Sequence, residues 1–397
     1  MSLPSVLPTE YSASAPCISQ DTQREAWLRL AFVGLPAGRL ASAIKRWSTP
    51  EALLEAASNG EDSELLATAG ITPVSVERIR EAASRDITKA TAAMEEYSLR
   101  LLLHDDEDYP RALRSIPDPP LYLFVRGVIE DRDETAVAIV GTRHATEYGR
   151  GLAHKLAHDL ARRGVTVVSG LARGIDTFAH RGALEGGGRT FAVCGCGLDV
   201  TYPSENKKLM EEISSSGANL SEFAPTVHPE PWHFPARNRI ISGLSAGTIV
   251  VEAGERSGAL ITSDFAMEQG RDVFAVPGNV HKAQSKGCHA LIKQGATLIE
   301  DAEDVLNALN NRALPFMEES SRPGVSAPAK PAESPLREDL TASENRIWLA
   351  LDVEPRHIDA IAEDAEMNAA QVNAALVMFE LKGIVKRLPG NSFARTN

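Results

Sequence analysis

Cysteine pairs and long apolar runs are both scarce in this sequence. The chain of 397 residues has 4 cysteines, and its only close pair, Cys194 and Cys196, has C-x-C spacing rather than the C-x-x-C spacing typical of zinc sites. We therefore expect buried, reduced thiols and no metal site. No apolar run approaches the ~18 residues of a membrane span. The first residues also lack the basic region and the following apolar core of a signal peptide. These absences predict a cytoplasmic protein that does not enter the membrane.

The two common signatures of nucleotide-binding loops are also missing. Residues 141–149 have neither the G-x-G-x-x-G spacing of dinucleotide sites nor the G-x-x-x-x-G-K-[ST] spacing of a P-loop. The second strand-like run ends at Ser169 and Gly170, where a dinucleotide-binding fold has a ribose-binding carboxylate. NAD binding and ATP hydrolysis are both disfavoured, and no cofactor is expected.

Positive charge is not in excess either. The formal net charge is -13, which repels DNA at long range. Residues 136–300 contain 17 Lys and Arg against 16 Asp and Glu, so the flanking segments carry the acidic excess. This distribution allows a local basic edge but excludes a wholly basic surface.

Short apolar runs alternate with helical patterns between Ala136 and Glu300, and each run breaks into a glycine-bearing turn. The runs are Ala136–Val140, Val165–Ser169, Thr190–Cys194, Thr248–Glu252 and Val273–Val276. This alternation predicts βαβ units and an α/β fold with a doubly wound parallel sheet. The turns after the strands then share one edge of the sheet, where helix N-terminal amides favour negative groups. The sequence thus predicts several phosphate-holding turns side by side.

Four arginines are placed at this predicted edge. Arg143 and Arg173 lie within or just after glycine turns, where a guanidinium group can grip a phosphate. We expect Arg237 and Arg239 to project from a helix start, beside an aromatic ring, Phe234, that can stack on a base. Most arginines only solvate a surface, and a lone glycine turn is often plain turn geometry. Five such turns on one sheet edge favour a binding site.

Taken in order, these motifs resemble those of the DNA-processing protein A family, also called Smf. The matching segments are Ile139–Arg143, Val168–Asp176 with Ala179 and His180, Gly197–Asp199 with Tyr202 and Pro203, Phe234–Ile241, and Ser257–Thr262 with Pro277 and Gly278. The match covers roughly residues 95–310 and is specific, because several separate motifs keep the family's order.

The resemblance implies an extended Rossmann-like fold that dimerises and a protein without catalytic activity. Such a protein binds single-stranded DNA in natural transformation and recombination, protects it, and loads the RecA recombinase onto it. The implied partners are therefore single-stranded DNA, RecA and a second copy of the chain. The DNA-binding residues predicted from the motifs are Gly141, Thr142, Arg143, Gly170, Ala172, Arg173, Gly174, Phe234, Arg237, Asn238, Arg239, Ser257 and Gly258.

The resemblance is incomplete at one motif and extends to one further surface. The family commonly has a lysine where this chain has Ser204, so that contact is not carried over, and Lys207 or Lys208 are candidates to replace it. The resemblance also places the dimer and RecA surface around Ala259–Leu309. Residue by residue, packing against the sheet explains the apolar side chains of that region better than a contact surface does.

The N-terminal part is predicted to be helical. Residues 1–20 have the composition of a disordered tail, and residues 21–92 form a helical, SAM-like domain. Leu30–Gly38 and Leu65–Ile79 resemble two helix-hairpin-helix units, in which backbone amides of a glycine turn bind a DNA phosphate. Pro36 removes one such donor, so a bundle used for packing or protein contacts remains the alternative.

Residues 93–310 form the predicted Rossmann-like core, in which the strand-like runs Leu99–Leu103 and Leu121–Val125 extend the sheet. Residues 311–338 have the composition of a linker. Residues 339–397 show three helical patterns and a hairpin, the outline of a winged helix. Its third helix has few basic residues, so both a DNA-binding and a protein-binding role stay open.

Two functions of other classes also stay open. A nucleotide phosphoribohydrolase needs a P-G-G-x-G-T turn followed by a glutamate, an order that Glu252–Thr262 lacks. Asp176, His180 and Glu252 are conceivable acids and bases, although buried polar residues near a sheet edge are more often hydrogen-bonding partners. The other alternative is a nucleotide-sensing regulator that uses the winged helix as its output.

Overall fold

The computed structural model describes residues 20–66 and 71–310, and in the C-terminal part residues 341–351, 356–365, 367, 369–382, 384–388 and 392–395. The chain divides into two units, residues 1–320 and residues 321–397. The predicted linker and all but the last residue of the predicted tail lie outside the described residues. The predicted domain boundaries within the first unit remain predictions.

The first unit begins with a series of helices. They are α1 Gln20–Leu30, α2 Ala37–Trp47, α3 Pro50–Asn59, α4 Asp62–Leu66, α5 Pro73–Ser84 and α6 Thr88–Glu96. Two of them have the same start signal, because Thr49 and Thr72 each accept a backbone hydrogen bond of 3.2 Å at the N-cap and precede a proline at the first helical position. Leu53 and Ile79 are fully buried where the helices pack together.

In the first helix hairpin, a backbone amide already has a hydrogen-bond partner within the chain. The amide of Gly38, at the start of α2, donates a 3.1 Å hydrogen bond to the carboxylate of Asp118. A carboxylate of the same chain thus occupies a position that a helix-hairpin-helix unit offers to a phosphate. This contact favours the packing alternative for the first hairpin, whereas the turn of the second includes residues 67–70, which lie outside the described residues.

The sheet of the first unit has nine strands within the described residues, in the order β1-β2-β6-β5-β4-β3-β7-β8-β9. The strands are β1 Arg100–Leu103, β2 Tyr122–Gly127, β3 Ala136–Val140, β4 Thr166–Ser169, β5 Thr190–Val193, β6 Ala218–Ser221, β7 Gly247–Val250, β8 Asp272–Ala275 and β9 Thr297–Leu298. Neighbouring strands from β6 to β9 are parallel, and β1 and β2 add an antiparallel edge. The predicted α/β class with a doubly wound, mostly parallel sheet is confirmed.

Helices cover both faces of this sheet. They are α7 Arg111–Arg114, α8 Glu147–Arg162, α9 Ile175–Glu185, α10 Lys207–Ser216, α11 His233–Gly243, α12 Gly258–Glu268, α13 Lys286–Lys293 and the helical residues 302–310, called α14. Strand β3 shows the two faces directly, because alternate side chains of a strand point to opposite sides. Val137 and Ile139 pack with α8 and α9, whereas Ala138 and Val140 pack with α11 and α12.

The order of the strands defines where a ligand site is expected. β3 pairs with β4 on one side and with β7 on the other, so the chain winds outward from β3 in both directions. The loops after β3 and β7 therefore diverge and leave a crevice at the carboxyl ends of these two strands. In open α/β sheets, ligands bind in this crevice.

The second unit contains three helices and a small sheet within its described residues. The elements are α15 Ala342–Ala350, β10 Arg356–His357, α16 Ile358–Asp364, α17 Ala369–Leu381, β11 Val385–Leu388 and β12 Ser392–Arg395. Strand β12 lies between β10 and β11 and is antiparallel to both. Leu376, Phe379 and Phe393 are buried in its core. The predicted winged-helix form is confirmed, and its third helix, α17, has no Lys or Arg in its sequence.

No helix among the described residues is both long enough and apolar enough to cross a membrane.

Candidate functional site

A cavity of about 670 Å³ lies at the crevice between the carboxyl ends of β3 and β7. Its walls come from the turns after β3 and β4, the first half of α11 and the N-terminus of α12. Nine of the predicted site residues line it: Gly141, Thr142, Arg143, Ala172, Phe234, Arg237, Asn238, Ser257 and Gly258. Gly170, Arg173, Gly174 and Arg239 are not part of its walls.

Arg143 is the exposed cation of this cavity. Its guanidinium carbon lies 5.1 Å from the centroid of the Phe234 ring. No carboxylate or carbonyl group among the described residues pairs with its side chain. The Phe234 ring lies 5.4 Å from the ring of Tyr202, which is 42% exposed. Arg143, Phe234 and Tyr202, called the arginine–aromatic row, combine a phosphate-binding group with rings that can stack on bases.

Arg237 reaches the cavity but is buried, with 4% of its surface exposed. Its Nη1 donates to the carbonyl oxygen of Gly170 at 2.9 Å and to that of Val193, and its Nε donates to Asn238 Oδ1 at 3.0 Å. A Cβ atom at Gly170 would lie 2.2 Å from Arg237 Nη2, so only glycine leaves room for the guanidinium group. Arg237 was expected to project from a helix start beside Phe234, but its side chain is buried and holds the ends of β4 and β5 together.

Arg239 lies on the other side of α11 and is also buried. Its Nη1 and Nη2 donate to the two carboxylate oxygens of Glu222 at 2.9 and 2.7 Å, and its Nε donates to Asp118 at 3.1 Å. Two residues along a helix differ by about 200° around its axis, so Arg237 and Arg239 cannot face the same edge. The expectation that both project beside Phe234 is wrong for this reason. Asn238, between them, donates to the carbonyl oxygen of Gly258 at 3.3 Å and links α11 to α12.

Gly174 and Arg173 lie beside the cavity rather than in its wall. Gly174 has a φ of 76°, and a Cβ atom there would lie 2.3 Å from the carbonyl oxygen of Thr142. Glycine at this position thus lets the turns after β3 and β4 approach each other. Arg173 is exposed and forms an ion pair with Glu205.

The α12 N-terminus contributes two of the predicted residues. Ser257 is its N-cap, and its hydroxyl accepts a hydrogen bond of 3.4 Å from the amide of Ala259. A Cβ atom at Gly258 would meet no atom within 4 Å, so the backbone here borders open space. An anion in the cavity would meet the positive end of the α12 dipole at this point.

His180 is a fully buried structural residue. The amide of Leu171 donates to His180 Nε2 at 3.3 Å, which leaves the proton on Nδ1. His180 Nδ1 then donates to the hydroxyl of Thr190 at 2.7 Å, and this hydroxyl donates to the carbonyl oxygen of Val167 at 2.7 Å. Burial lowers the pKa of His180 to about 3. The imidazole therefore stays neutral and positions the turn after β4.

Because His180 is buried and neutral, we expect the free energy of unfolding to decrease on acidification. The pKa of His180 is about 3 in the folded chain against an ordinary value of 6.5, so between these values the unfolded chain binds more protons. Above pH 6.5 the neutral His180 contributes fully to the free energy of unfolding. As the pH falls from 6.5 toward 3, this contribution decreases by up to ~1.4 kcal/mol per pH unit. Urea unfolding at pH 7, 6 and 5 measures this slope. In the His180→Gln variant we expect the free energy of unfolding to depend less steeply on pH, by an amount that corresponds to nearly one bound proton. Equal pH dependence in the two proteins would contradict a buried, neutral His180.

The other two conceivable acid–base residues have structural partners as well. Glu252 accepts hydrogen bonds from the amide and hydroxyl of Thr146 at 2.9 and 2.5 Å, and so holds the start of α8. Asp176 is buried in the first turn of α9, where it accepts a 3.3 Å hydrogen bond from the amide of Ala172. Burial raises the pKa of Asp176, and the nearby charge of Arg237 offsets part of this rise. Glu252 is not part of the cavity wall, so these residues do not form an acid–base set there.

Several cavity residues were not predicted as site residues. Tyr202 belongs to a recognised motif, but its exposed ring was not assigned a contact. His144, Glu230 and Pro231 also line the cavity. Pro231 and Glu230 come from a loop without a glycine turn or a basic residue, so no feature of their local sequence indicated a site.

No group of three or more His, Cys, Asp or Glu residues in the described part of the chain is arranged to hold a metal ion. Lys207 and Lys208 begin α10, and Lys208 pairs with Glu212 at 3.7 Å. The replacement of the family lysine missing at Ser204 by Lys207 or Lys208 remains a prediction.

Comparison with known families places two models on this chain. The family model described as DNA recombination-mediator protein A matches residues 100–310, which include the sheet and the cavity. A second model, described as the DprA winged helix domain, matches residues 328–391.

Known relatives are similar over most of the chain. Protein Smf of Escherichia coli strain K12 is 35% identical over 367 residues, which cover 92% of this chain and 94% of the relative. DNA processing protein DprA of Streptococcus pneumoniae is 48% identical over 201 residues, which cover 51% of this chain and 71% of the relative. An X-ray structure of DprA from Streptococcus pneumoniae superposes with a TM-score of 0.60 at 37% identity, covering 71% of this chain and 97% of that structure.

Proposed function

The chain belongs to the DNA recombination-mediator protein A family, whose members are called DprA or Smf, and on this premise we propose that it binds single-stranded DNA in the cavity between β3 and β7. Two of the relatives, from Streptococcus pneumoniae and Bacillus subtilis, are named DNA processing protein DprA. The proposed role is to bind incoming single strands during natural transformation and recombination, without turnover of the DNA.

The observation that carries this proposal is the arginine–aromatic row. A flexible single strand can turn its bases outward, so that rings such as Tyr202 and Phe234 stack on them while a cation binds the phosphate beside them. In a duplex the bases are already stacked on each other and are not available to these rings. The exposed guanidinium of Arg143 and the N-terminus of α12 provide the positive groups.

The charge of the cavity limits how tightly it can bind. Asp176 and Glu230 line it together with Arg143 and Arg237, so the wall is nearly balanced in charge. Binding therefore depends on a few direct contacts and not on a broad positive field. This agrees with the acidic net charge of the whole chain.

Salt dependence and strand preference test the proposal. We expect the affinity for oligo(dT) to fall with salt concentration, with a slope of log K against log salt near -0.7 for each phosphate contact. We also expect duplex DNA of the same length to bind more weakly, because its bases cannot reach the rings. Fluorescence anisotropy with labelled oligonucleotides measures both quantities. A flat salt dependence or equal affinity for the duplex would contradict the proposal.

The same family membership supports a second, finer part of the proposed function, in which the protein dimerises and loads RecA onto the bound strand. Support comes from the region first predicted for these contacts, where Met267 on α12 and Leu298 on β9 are exposed apolar residues. Leu291 in the same region is buried in the core and is explained by packing alone. Light scattering at micromolar concentration measures the dimer, and RecA filament assembly on coated DNA measures loading. A strictly monomeric protein with unimpaired loading would show the dimer to be irrelevant.

The nucleotide-sensing alternative makes a different prediction for small ligands. A sensor must be stabilised by the nucleotide that it detects. A thermal shift with mononucleotides that exceeds the shift with oligo(dT) would favour the sensor over the DNA-binding protein.

A further inference from the structure

Arg173 and Glu205 form a two-point ion pair in the free protein. Arg173 Nε donates to Glu205 Oε1, and Arg173 Nη2 donates to Glu205 Oε2 at 3.1 Å. This edge of the guanidinium group, with its two parallel N–H donors, is the one that binds carboxylate and phosphate in the same way. The side chains of Arg173 and Glu205 are 63% and 49% exposed, so a ligand in solvent can reach the pair.

The pair lies at the rim of the cavity. Arg173 follows Ala172, which lines the cavity, and Glu205 comes three residues after Tyr202, which also lines it. The arginine is thus placed next to the arginine–aromatic row. A strand that stacks on Tyr202 brings a phosphate close to Arg173.

The fold holds the backbone of Glu205 close to that of Arg173. Glu205 lies in a short 3-10 turn, Ser204–Asn206, that precedes α10. The buried amide group of Asn206 donates to the carbonyl oxygen of Leu171 and to the hydroxyl of Thr177, both at 2.9 Å. One bond attaches the turn of Glu205 to the loop that carries Arg173, and the other attaches it to the start of α9, so the backbones of the two paired residues are held near each other.

We propose that Glu205 occupies the phosphate position on Arg173 in the free protein and so weakens the binding of single-stranded DNA. This inference rests on the proposed function. A phosphate that binds Arg173 must displace the carboxylate and then lies near a second negative group. No carboxylate among the described residues forms an ion pair with Arg143, so the first phosphate contact forms at Arg143 and the contact at Arg173 forms only in exchange for Glu205.

Displacement of the carboxylate is a small barrier. An exposed ion pair of this kind changes an equilibrium by a factor of only about two to five. Glu205 therefore adjusts affinity and the release of the strand, and does not block the site. Such an adjustment suits a protein that must give its strand to another protein.

The test is the Glu205→Gln variant, which keeps the shape of the side chain and removes its charge. We expect it to bind oligo(dT) about two- to fivefold more tightly than the unchanged protein at low salt. We also expect the slope of log K against log salt to become steeper by about 0.7, because Arg173 becomes one more uncompensated cation. The matched control is Glu212→Gln, since Glu212 lies on α10 and pairs with Lys208 rather than Arg173. It removes the same charge and should change affinity less.

A second arm repeats both substitutions in an Arg173→Gln background. There the gain from Glu205→Gln should shrink to that of Glu212→Gln, because the group that Glu205 masks is gone. The proposal is overturned if Glu205→Gln binds no more tightly than Glu212→Gln, or if its gain is the same without Arg173. Weaker binding by Glu205→Gln would show that Glu205 only positions Arg173. Failure of the unchanged protein to bind oligo(dT) would overturn the proposed function itself, and this inference with it.

Discussion

Replacing Arg143 by alanine should lower the affinity for oligo(dT) by about tenfold to a hundredfold. A hydrogen bond between charged groups contributes about 1.5–3 kcal/mol, and every 1.4 kcal/mol corresponds to a factor of ten. The side chain is exposed, and its guanidinium carbon lies 5.1 Å from the centroid of the Phe234 ring. The folded protein should therefore lose DNA binding without losing stability. Fluorescence anisotropy and thermal unfolding of the same samples measure the two quantities.

Arg162→Ala is the matched control for this substitution. Arg162 is an exposed arginine in the last turn of α8, whereas Arg143 precedes the first turn of the same helix. The two residues therefore lie at opposite edges of the sheet, and Arg162→Ala should leave the affinity within a factor of two. Equal losses in both variants would mean that general charge, and not the cavity, binds the strand.

Arg237→Ala should instead destabilise the protein, by about 3–5 kcal/mol, the range for removing one partner from a buried charged network. The substitution leaves the carbonyl oxygens of Gly170 and Val193 without this donor, and it removes the cation that most lowers the pKa of the buried Asp176. Urea unfolding, compared with that of Arg162→Ala, measures the loss. A stability equal to that of the control would contradict the structural role of Arg237.

This expectation changes how an Arg237 variant is interpreted. Loss of DNA binding by Arg237→Ala does not by itself assign a phosphate contact, because the turns after β4 and β5 depend on the same side chain. Arg143 and Arg237 thus separate the two roles that the sequence assigned jointly to the arginines of this edge. Substitution of Arg143 should affect DNA binding alone, whereas substitution of Arg237 should affect folding first.

The sheet could be predicted from the sequence because its central strands are buried on both faces. Strands such as β3 are continuous apolar runs, and their length and glycine-bearing ends mark where each strand stops. The position of the cavity followed from the same features, since all parallel strands of the sheet end at one edge. The placement of Arg143 at that edge required only its position directly after β3.

The contacts of the other arginine side chains could not be predicted, because their partners are distant in sequence. Arg239 pairs with Asp118, which is 121 residues away, and Arg173 with Glu205, which is 32 residues away. Which side of α11 meets the cavity depends on how the helix packs, and this is not visible in the motif itself. Gly170 was predicted to bind DNA, whereas the space that a side chain would occupy there is filled by Arg237.

The most direct test of the DNA-binding cavity is amide hydrogen–deuterium exchange with and without oligo(dT). Bound DNA should slow exchange in the turn after β3, residues 141–145, and at the start of α12, residues 257–261. It should leave residues 163–166 and 187–189, at the opposite edge of the sheet, unchanged. Protection confined to the first helix hairpin or to α17, with no change in the turns that line the cavity, would contradict the binding site assigned to this protein.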